Sequence, residues 1–477
     1  MSPSYLKYPY LAMVVIGLGE LMATLDHSIV NVALPSAQMD LGFDDSLRSW
    51  IISVYALAFG SLLPLGGALV GRFGQRQAFM LGLVGFAAAS VLGGLAQSFV
   101  VLVAGRAIQG MFAALLAPAA LSLLITCFDG RPLRRRAFGV FAMLAISGAA
   151  IGMILGGILT QYLDWRWCML INAVFAAIAQ IGAWVGLPTT APIRDSRIDI
   201  AGAVTSGGGL SLLLYAFSNA ETQAWTSPIV TGCLLAGCLL LAVFIAIERR
   251  VQTPLVPLTI FQDRSRNAAF LAAFTAVLGL FGVMLLLTYE LQRNLGFGPL
   301  QTGFGFLPMA AGLMISATLT PVKLLPHLGA RVILAGGLLL AAVALILLSF
   351  TTSGLDYRAV LAPLVILGLG LGATISTSIE TATRNIPDHH AGVAAAVTSA
   401  VQQIGGAFGA ALLAGIAHRA GTAPELGFGT AVLRGFDVAM GSIALLFVLV
   451  AAVTWVLRPG HRQRPYEVRP EPSTFRS

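Results

Sequence analysis

The sequence has few charged residues and no long polar stretch. Asp, Glu, Lys and Arg make up 10% of the 477 residues, whereas hydrophobic residues make up 57%. A soluble domain usually carries about 25% charged residues. The longest polar stretch is the tail that follows Trp455. The composition therefore excludes the water-soluble classes of protein and argues against a sizeable soluble domain.

Cysteine is also scarce, and the patterns of common catalytic sites are missing. The four cysteines (Cys127, Cys168, Cys233 and Cys238) lack the spacing of a zinc or iron–sulfur site. The sequence has no G-x-x-x-x-G-K-[ST] phosphate loop, which argues against ATP as the energy source. We find no pairing of a nucleophile with a base. We therefore expect no enzyme activity, no cofactor and no metal site.

What the sequence does have is a series of fourteen apolar segments. A bilayer core about 30 Å thick is crossed by about 20 apolar residues of helix. The first segment is too long for a signal peptide and ends at Leu34-Pro35 without a cleavage site, so we expect a retained helix. The sequence predicts an all-α membrane protein with transmembrane helices at about 10–33, 48–70, 78–97, 101–124, 137–160, 167–187, 198–219, 228–247, 267–291, 301–321, 329–350, 357–380, 391–418 and 437–457.

The positive charges predict the orientation of these helices. Of the 28 Lys and Arg residues, 21 lie in the N-terminal segment, in every second gap between helices, or in the C-terminal tail. Lys and Arg stay on the cytoplasmic side of membranes. We therefore expect both termini in the cytoplasm and a location in the cytoplasmic membrane. The same distribution accounts for the net charge of +8 and argues against nucleic-acid binding. The basic run 131–136 is a topology signal, with a lipid-headgroup contact as the lesser alternative.

Two predicted cytoplasmic stretches, 188–197 and 248–266, contain Pro and charged residues. They divide the helices into three blocks of six, two and six helices. A G-x-R sequence follows the second helix of both the first and the last block, at Gly74–Arg76 and Gly329–Arg331. Parallel six-helix repeats are a transporter architecture. We predict an N-terminal six-helix bundle (1–187), two extra helices with their linkers (188–266), a C-terminal six-helix bundle (267–457) and a cytoplasmic tail (458–477).

Three charged residues, Glu20, Asp26 and Arg106, lie deep inside predicted helices, where a charge is costly and marks a functional position. Asp26 in helix 1 and Arg106 in helix 4 lie roughly 10 Å and 8 Å below the outer surface, from a rise of 1.5 Å per residue. We therefore predict an ion pair between them. The alternative is a static salt bridge that only joins the two helices.

Glu20 lies near the middle of helix 1, where no basic residue is predicted at the same depth. An unpaired carboxyl there can carry a proton or attract a cationic substrate. The alternative is a protonated acid that is hydrogen-bonded to a neighbouring helix. His27 shares a helix face with Glu20, and we interpret it as a packed polar neighbour rather than a proton relay.

Helix 5 carries a stripe of glycines at Gly148, Gly152, Gly156 and Gly157. Small residues allow close packing of helices in membranes. A second interpretation is a sliding or bending surface that is used during conformational change.

Four motifs resemble the major facilitator superfamily, and in particular its fourteen-helix branch of drug:proton antiporters. Leu25–Pro35 resembles the helix 1 signature L-D-x-T-I-V-N-V-A-L-P, and Leu102–Gly110 matches L-x-x-x-R-x-x-Q-G. Gly67–Arg76 resembles the turn G-x-L-x-D-R-x-G-R-R, and Gly148–Gly157 resembles G-x-x-x-G-P-x-x-G-G.

The resemblance implies a fold of two six-helix bundles plus two central helices, with a substrate cavity between the bundles. It implies alternating access, in which Asp26 handles a proton or cation and Arg106 couples it. It also implies that Arg72, Gly74 and Arg76 form a cytoplasmic latch between helices, and Gly67 belongs to the same conformational motif. The weaker candidates for the substrate cavity are His27, Asn31, Gln109, Glu290 and Gln402.

Two of these motifs show departures, at three positions. Gly71 stands where the turn has its acid, and Gln75 replaces a basic residue. The latch is therefore expected to be weaker. Met153 replaces the proline of the helix 5 motif. Helix 5 is expected to be straighter there, because proline kinks helices.

The resemblance implies proton exchange and the export of lipophilic, often cationic compounds. Together with the charged residues inside the helices, it leads us to expect a proton-driven exporter of amphipathic small molecules, of the multidrug efflux type. Its expected partners are a small-molecule substrate, protons and the lipid bilayer, while an accessory efflux partner is left undefined. One alternative is a dedicated exporter of a single natural product or metabolite. Another is a membrane sensor with this fold that transports nothing.

Overall fold

The computed structural model consists of helices joined by short connections. It describes residues 8–128, 133–189, 199–220, 225–251, 254–293, 295–297, 299–351, 357–384, 386, 391–421 and 428–457. Across these ranges the structure has no β-strand.

The helices follow the predicted order along the chain. They are α1 (Pro9–Leu41), α2 (Asp45–Phe73), α3 (Gln75–Gly94), α4 (Phe99–Phe128), α5 (Arg134–Tyr162), α6 (Trp167–Gly186), α7 (Ile200–Ala220), α8 (Pro228–Glu248), α9 (Arg264–Arg293), α10 (Pro299–Gly305), α11 (Leu307–Leu319), α12 (Leu325–Thr351), α13 (Tyr357–Ala382), α14 (Ala391–Gly421) and α15 (Phe428–Val456). Within the described ranges, eleven helical stretches are long and apolar enough to cross a membrane. The protein is therefore a multi-pass membrane protein.

The first and tenth predicted helices differ from expectation. α1 does not end at Leu34-Pro35 but continues through the proline to Leu41. It ends at Gly42, which adopts φ +65° and donates its N–H to the carbonyl of Gln38, a left-handed glycine cap. The predicted helix at 301–321 is divided into α10, α11 and a π-helical turn at Thr320–Leu324. Pro321 lies in this turn, where it removes one backbone donor.

The G-x-R repeat has the same structure in both blocks. Gly74 joins α2 to α3 at φ +86°, and Gly329 kinks α12 at φ +76°. These left-handed values favour glycine over any residue with a Cβ. Arg76 donates to the carbonyl of Trp184 in α6 at 2.8 Å, and Arg331 lies 4.2 Å from the ring centroid of Trp455 in α15. In each block the arginine thus contacts a tryptophan near the end of the last helix.

The two six-helix blocks of the prediction correspond to α1–α6 and α9–α15. They contact each other at the end of the molecule that carries Arg72, Arg76, Arg134 and Arg331, which we call the basic end. A Cβ on Gly67 of α2 would lie 3.0 Å from the carbonyl oxygen of Gly392 of α14. A Cβ on Gly139 of α5 would lie 3.2 Å from the carbonyl oxygen of Thr318 of α11. Because glycine has no side chain, the backbones of the two blocks approach closely at Gly67 and Gly139.

The glycine stripe of α5 packs on the backbone of α1. A Cβ on Gly148 would lie 3.0 Å from the carbonyl oxygen of Leu21, and a Cβ on Gly152 would lie 2.7 Å from that of Leu25. Gly156 faces Ile29 in the same way, at 3.0 Å from its carbonyl oxygen. Gly157 is half-buried beside them. The stripe therefore makes the close helix contact that was predicted, whereas a sliding role stays a prediction.

Helix α7, the first of the two extra helices, lies between α2 and α14. Ser53 of α2 and Ser218 of α7 share a hydrogen bond of 3.2 Å. On the other side, the rings of Phe217 and Phe408 of α14 lie edge to face with centroids 5.1 Å apart. α7 therefore touches both blocks.

We expect Gly152→Ala to destabilise the protein by about 1–3 kcal/mol, the usual penalty for overpacking. The added methyl group would push against the carbonyl of Leu25, which is backbone and cannot rotate away. Thermal unfolding of the detergent-solubilised protein measures the effect. Gly232→Ala in α8 is the matched control, because a Cβ there meets nothing within 4 Å. Equal melting temperatures for the two variants would contradict the close-packing account.

Candidate functional site

Asp26 and Arg106 form an ion pair in the interior of the first block. A carboxylate oxygen of Asp26, Oδ2, accepts a hydrogen bond from Nη1 of Arg106, and both residues are fully buried. α1 and α4 bring the two residues to one level, as the depth estimate predicts. A buried ion pair stabilises a protein only where further hydrogen bonds satisfy both ions.

Arg106 has three further contacts. Its Nε donates to the carbonyl of Ile51 in α2 at 3.2 Å, and its Nη1 also donates to Oε1 of Gln109 at 2.9 Å. Its guanidinium lies 4.4 Å from the ring centroid of Tyr55, a cation–π distance. Nη2 has no hydrogen-bond partner among the residues that the structure describes.

The other oxygen of Asp26, Oδ1, accepts two hydrogen bonds from side-chain amides. Nε2 of Gln109 donates at 3.1 Å, and Nδ2 of Asn172 in α6 donates at 2.6 Å. Gln109 also donates to Oγ of Ser90 in α3 at 2.6 Å. We call Asp26, Arg106, Gln109, Asn172 and Ser90 the buried polar network. All five residues are completely buried.

Gln109 differs from its expected place in the substrate cavity. It lies one turn after Arg106 on α4, so the same helix face turns both side chains into the buried polar network. His27 is half-buried, with its ring centroid 6.2 Å from that of Tyr55. Asn31 is exposed and donates from Nδ2 to the carbonyl of His27 at 3.0 Å.

A separate cavity of about 60 Å³ lies where the two blocks meet. α1 contributes Glu20, and α14 contributes Gln402 with Thr398 and Ser399. The apolar part of the lining comes from Ala117, Leu121, Phe141, Ala142, Ala145, Ile375 and Ile379. This volume is well below the roughly 300–1,000 Å³ of a pocket for a drug-sized ligand. Such a ligand therefore requires the blocks to move apart.

Glu20 is the acid of this cavity. Its carboxylate has no hydrogen bond and no ion pair with any residue in the described ranges. The structure thus brings together two of the predicted site residues, Glu20 and Gln402, from different blocks. Glu290 is part of α9, but its side chain lies outside the described part of the structure.

The residues of the predicted latch lie at the basic end. Arg72 is exposed, and Arg76 binds α6 within its own block. Gln75, at the departure from the motif, accepts a hydrogen bond from Oγ1 of Thr126 in α4 at 2.6 Å. Gly67 of the same motif contacts Gly392 of α14 in the other block. At Gly71, which replaces the acid, a Cβ would meet nothing within 4 Å.

Sequence reasoning missed three residues around Asp26: Tyr55, Ser90 and Asn172. All three are uncharged, so the search for membrane charges passed over them. For Asn172 a signal exists, because it is a side-chain amide within the apolar run of α6. Buried polar groups in a bilayer need a partner, and this rule could have assigned Asn172 to a polar network.

Comparisons with known proteins identify the relatives of the chain. The Major Facilitator Superfamily matches residues 16–410. The chain is 40% identical to the puromycin resistance protein pur8 of Streptomyces alboniger, over 93% of the chain and 90% of the relative. It is 33% identical to the cephamycin export protein CmcT of Amycolatopsis lactamdurans, over 94% of each.

A solved structure has the same fold. The human organic anion transporter MFSD10 (TETRAN) superposes with a TM-score of 0.67 at 18% sequence identity, over 94% of the chain and 99% of that structure. The relatives are named as resistance and export proteins, not as enzymes. The match along most of the chain and the shared helical fold lead to one conclusion: this protein belongs to the Major Facilitator Superfamily.

Proposed function

We propose that the protein is a proton-driven secondary active exporter of amphipathic small molecules in the cytoplasmic membrane, with both termini in the cytoplasm. The observation that carries the proposal is the cavity between the blocks. One acid, Glu20, faces neutral polar side chains of α14 and an apolar wall. This lining suits a ligand with an apolar body and a polar or cationic group. The bilayer surrounds the protein, and nucleic acid has no part in this function.

Export proceeds in this proposal by alternating access. Contacts such as Gly67 with Gly392 close the basic end, which we assign to the cytoplasm. Separation of the blocks there would open the cavity to cytoplasmic substrate. Protonation of Asp26 removes the charge that Arg106 binds, and so changes the relative stability of the two states. A proton shifts such an equilibrium only through different affinities for the two states.

A second candidate function is the export of one natural product. It is favoured by the names of the two relatives, each of which refers to a single compound, puromycin or cephamycin. A panel of substrates distinguishes the two functions, because a dedicated exporter transports one chemical type. A sensor without transport would show no ligand flux at all.

We expect Asp26→Asn to abolish proton-driven transport while the protein stays folded. The amide cannot exchange a proton but keeps the size of the side chain. The measurement is flux of dyes and antibiotics in proteoliposomes with an imposed proton gradient. Cys168→Ala, a buried change in α6 outside the buried polar network, serves as the control. Coupled flux in Asp26→Asn at the level of the unmodified protein would reject the role of Asp26.

Stability and transport should separate in a double variant. Arg106→Met alone leaves Asp26 without its counter-ion, and such a loss costs about 3–5 kcal/mol. Arg106→Met combined with Asp26→Asn removes both charges, and should recover most of the melting temperature of the unmodified protein. It should nevertheless remain inactive in the flux assay. Restored transport in the double variant would identify the ion pair as a static link between helices.

Glu20→Gln should weaken transport of cationic substrates by roughly tenfold, the effect of losing about 1.4 kcal/mol of charge-assisted binding. A neutral analogue of the same size is the internal control, and its transport should change little. Competition for efflux in proteoliposomes measures both compounds. An equal loss for the two analogues would show that Glu20 does not select for charge.

A further inference from the structure

We propose that Asn172 is a positioning residue that responds to the protonation of Asp26, by turning its side-chain amide from donor to acceptor. The inference rests on the proposed proton coupling. It identifies the side chain that accepts a hydrogen bond from the protonated carboxyl group.

The geometry of Asn172 corresponds to the charged state of Asp26. Its Nδ2 donates to Oδ1 of Asp26 at 2.6 Å, as a carboxylate acceptor requires. Its own carbonyl oxygen, Oδ1, is buried and has no hydrogen-bond partner in the described part of the chain. Asn172 is completely buried in α6. The amide group that donates to Asp26 thus also carries a carbonyl oxygen that accepts no hydrogen bond.

A protonated Asp26 needs such an acceptor, because a buried O–H without a partner is destabilising. Arg106 offers only donors. Oε1 of Gln109 already accepts from Nη1 of Arg106, and Oγ of Ser90 accepts from Gln109 at 2.6 Å. Within the buried polar network as described, Oδ1 of Asn172 is the side-chain oxygen that accepts no hydrogen bond.

The step needs only a proton and one rotation. A proton binds Oδ1 of Asp26, so the carboxylate becomes a neutral acid. The amide of Asn172 turns by half a revolution about its Cβ–Cγ bond. The hydrogen bond from Nδ2 breaks, and the new O–H of Asp26 donates to Oδ1 of Asn172. Arg106 loses its counter-ion but keeps the carbonyl of Ile51, Oε1 of Gln109 and the ring of Tyr55.

The charged and titratable groups around Asp26 come from four helices. Arg106 belongs to α4, Tyr55 to α2, Cys168 to α6, and His27 and Glu20 to α1 itself. Helix α5 packs on this part of α1 through glycines, and residues 137–160 contain no titratable side chain. Helices α4 and α6 each contribute an uncharged amide in direct contact with the acid, Gln109 and Asn172. The carbonyl oxygen of Gln109 already accepts from Arg106, whereas that of Asn172 has no partner in the described part of the chain.

The test compares Asn172→Leu with Cys168→Ala in proteoliposomes. Leucine has a similar size but neither donates nor accepts. We expect gradient-driven flux to fall roughly tenfold and its dependence on pH to flatten, the effect of an unsatisfied buried hydroxyl. Substrate exchange without a proton gradient should stay within about twofold. Cys168→Ala, one turn earlier on α6, should leave both measurements unchanged.

Infrared difference spectra of the unmodified protein between acidic and neutral pH provide a second measurement that needs no variant. Protonation of Asp26, identified by its absence in Asp26→Asn, should be accompanied by a shift of an amide carbonyl band. That band should move when asparagine carries a ¹³C side-chain carbonyl. An Asp26 signal without an asparagine signal would overturn the inference, as would an unchanged pH profile in Asn172→Leu or an equal loss of exchange and driven flux. Absence of gradient-driven flux in the unmodified protein would instead refute the proposed function, and the infrared result would still test Asn172.

Discussion

The ion pair between Asp26 and Arg106 is the interaction on which the first block depends. Two ions removed from water each lose several kcal/mol of hydration in real proteins. The chain offsets this with hydrogen bonds from α2, α4 and α6, namely the backbone carbonyl of Ile51 and the amides of Gln109 and Asn172. Each of these helices must therefore hold its position for the pair to remain satisfied. A change in the charge of Asp26 affects all of them together.

Glycine determines how closely the helices approach this centre. The glycine stripe of α5 brings the backbones of α5 and α1 into close contact on both sides of Asp26. At the basic end, glycines on α2 and α5 perform the same task between the blocks. The internal repeat extends to Gly74 and Gly329, whose left-handed backbones set the direction of the following helix in each block. Close backbone contact in a bilayer rests on van der Waals packing, since water supplies no hydrophobic drive there.

Much of this arrangement could be predicted from the sequence, because the position of a residue along a transmembrane helix gives its depth in the membrane. The rise of 1.5 Å per residue was enough to bring Asp26 and Arg106 to one level from opposite directions. The end of α1 could not be predicted in this way, because Pro35 suggests a stop while Gly42 provides the actual cap. Asn172 was missed because the search covered charged residues alone, and depth gives no information on the rotation of a helix about its axis. The place of Gln109 depended on the same unknown rotation.

The position of α7 has a consequence for how the two halves can move. One face of α7 is tied to α2 through the Ser53–Ser218 hydrogen bond, and another packs aromatic against aromatic on α14. Any rocking that parts α2 from α14 must break one of these attachments and spare the other. The two extra helices, α7 and α8, are therefore expected to move with the block to which α7 binds more strongly. The hydrogen bond to α2 and the ring contact with α14, each on the order of 1 kcal/mol, contribute to that choice together with the packing on both sides of α7.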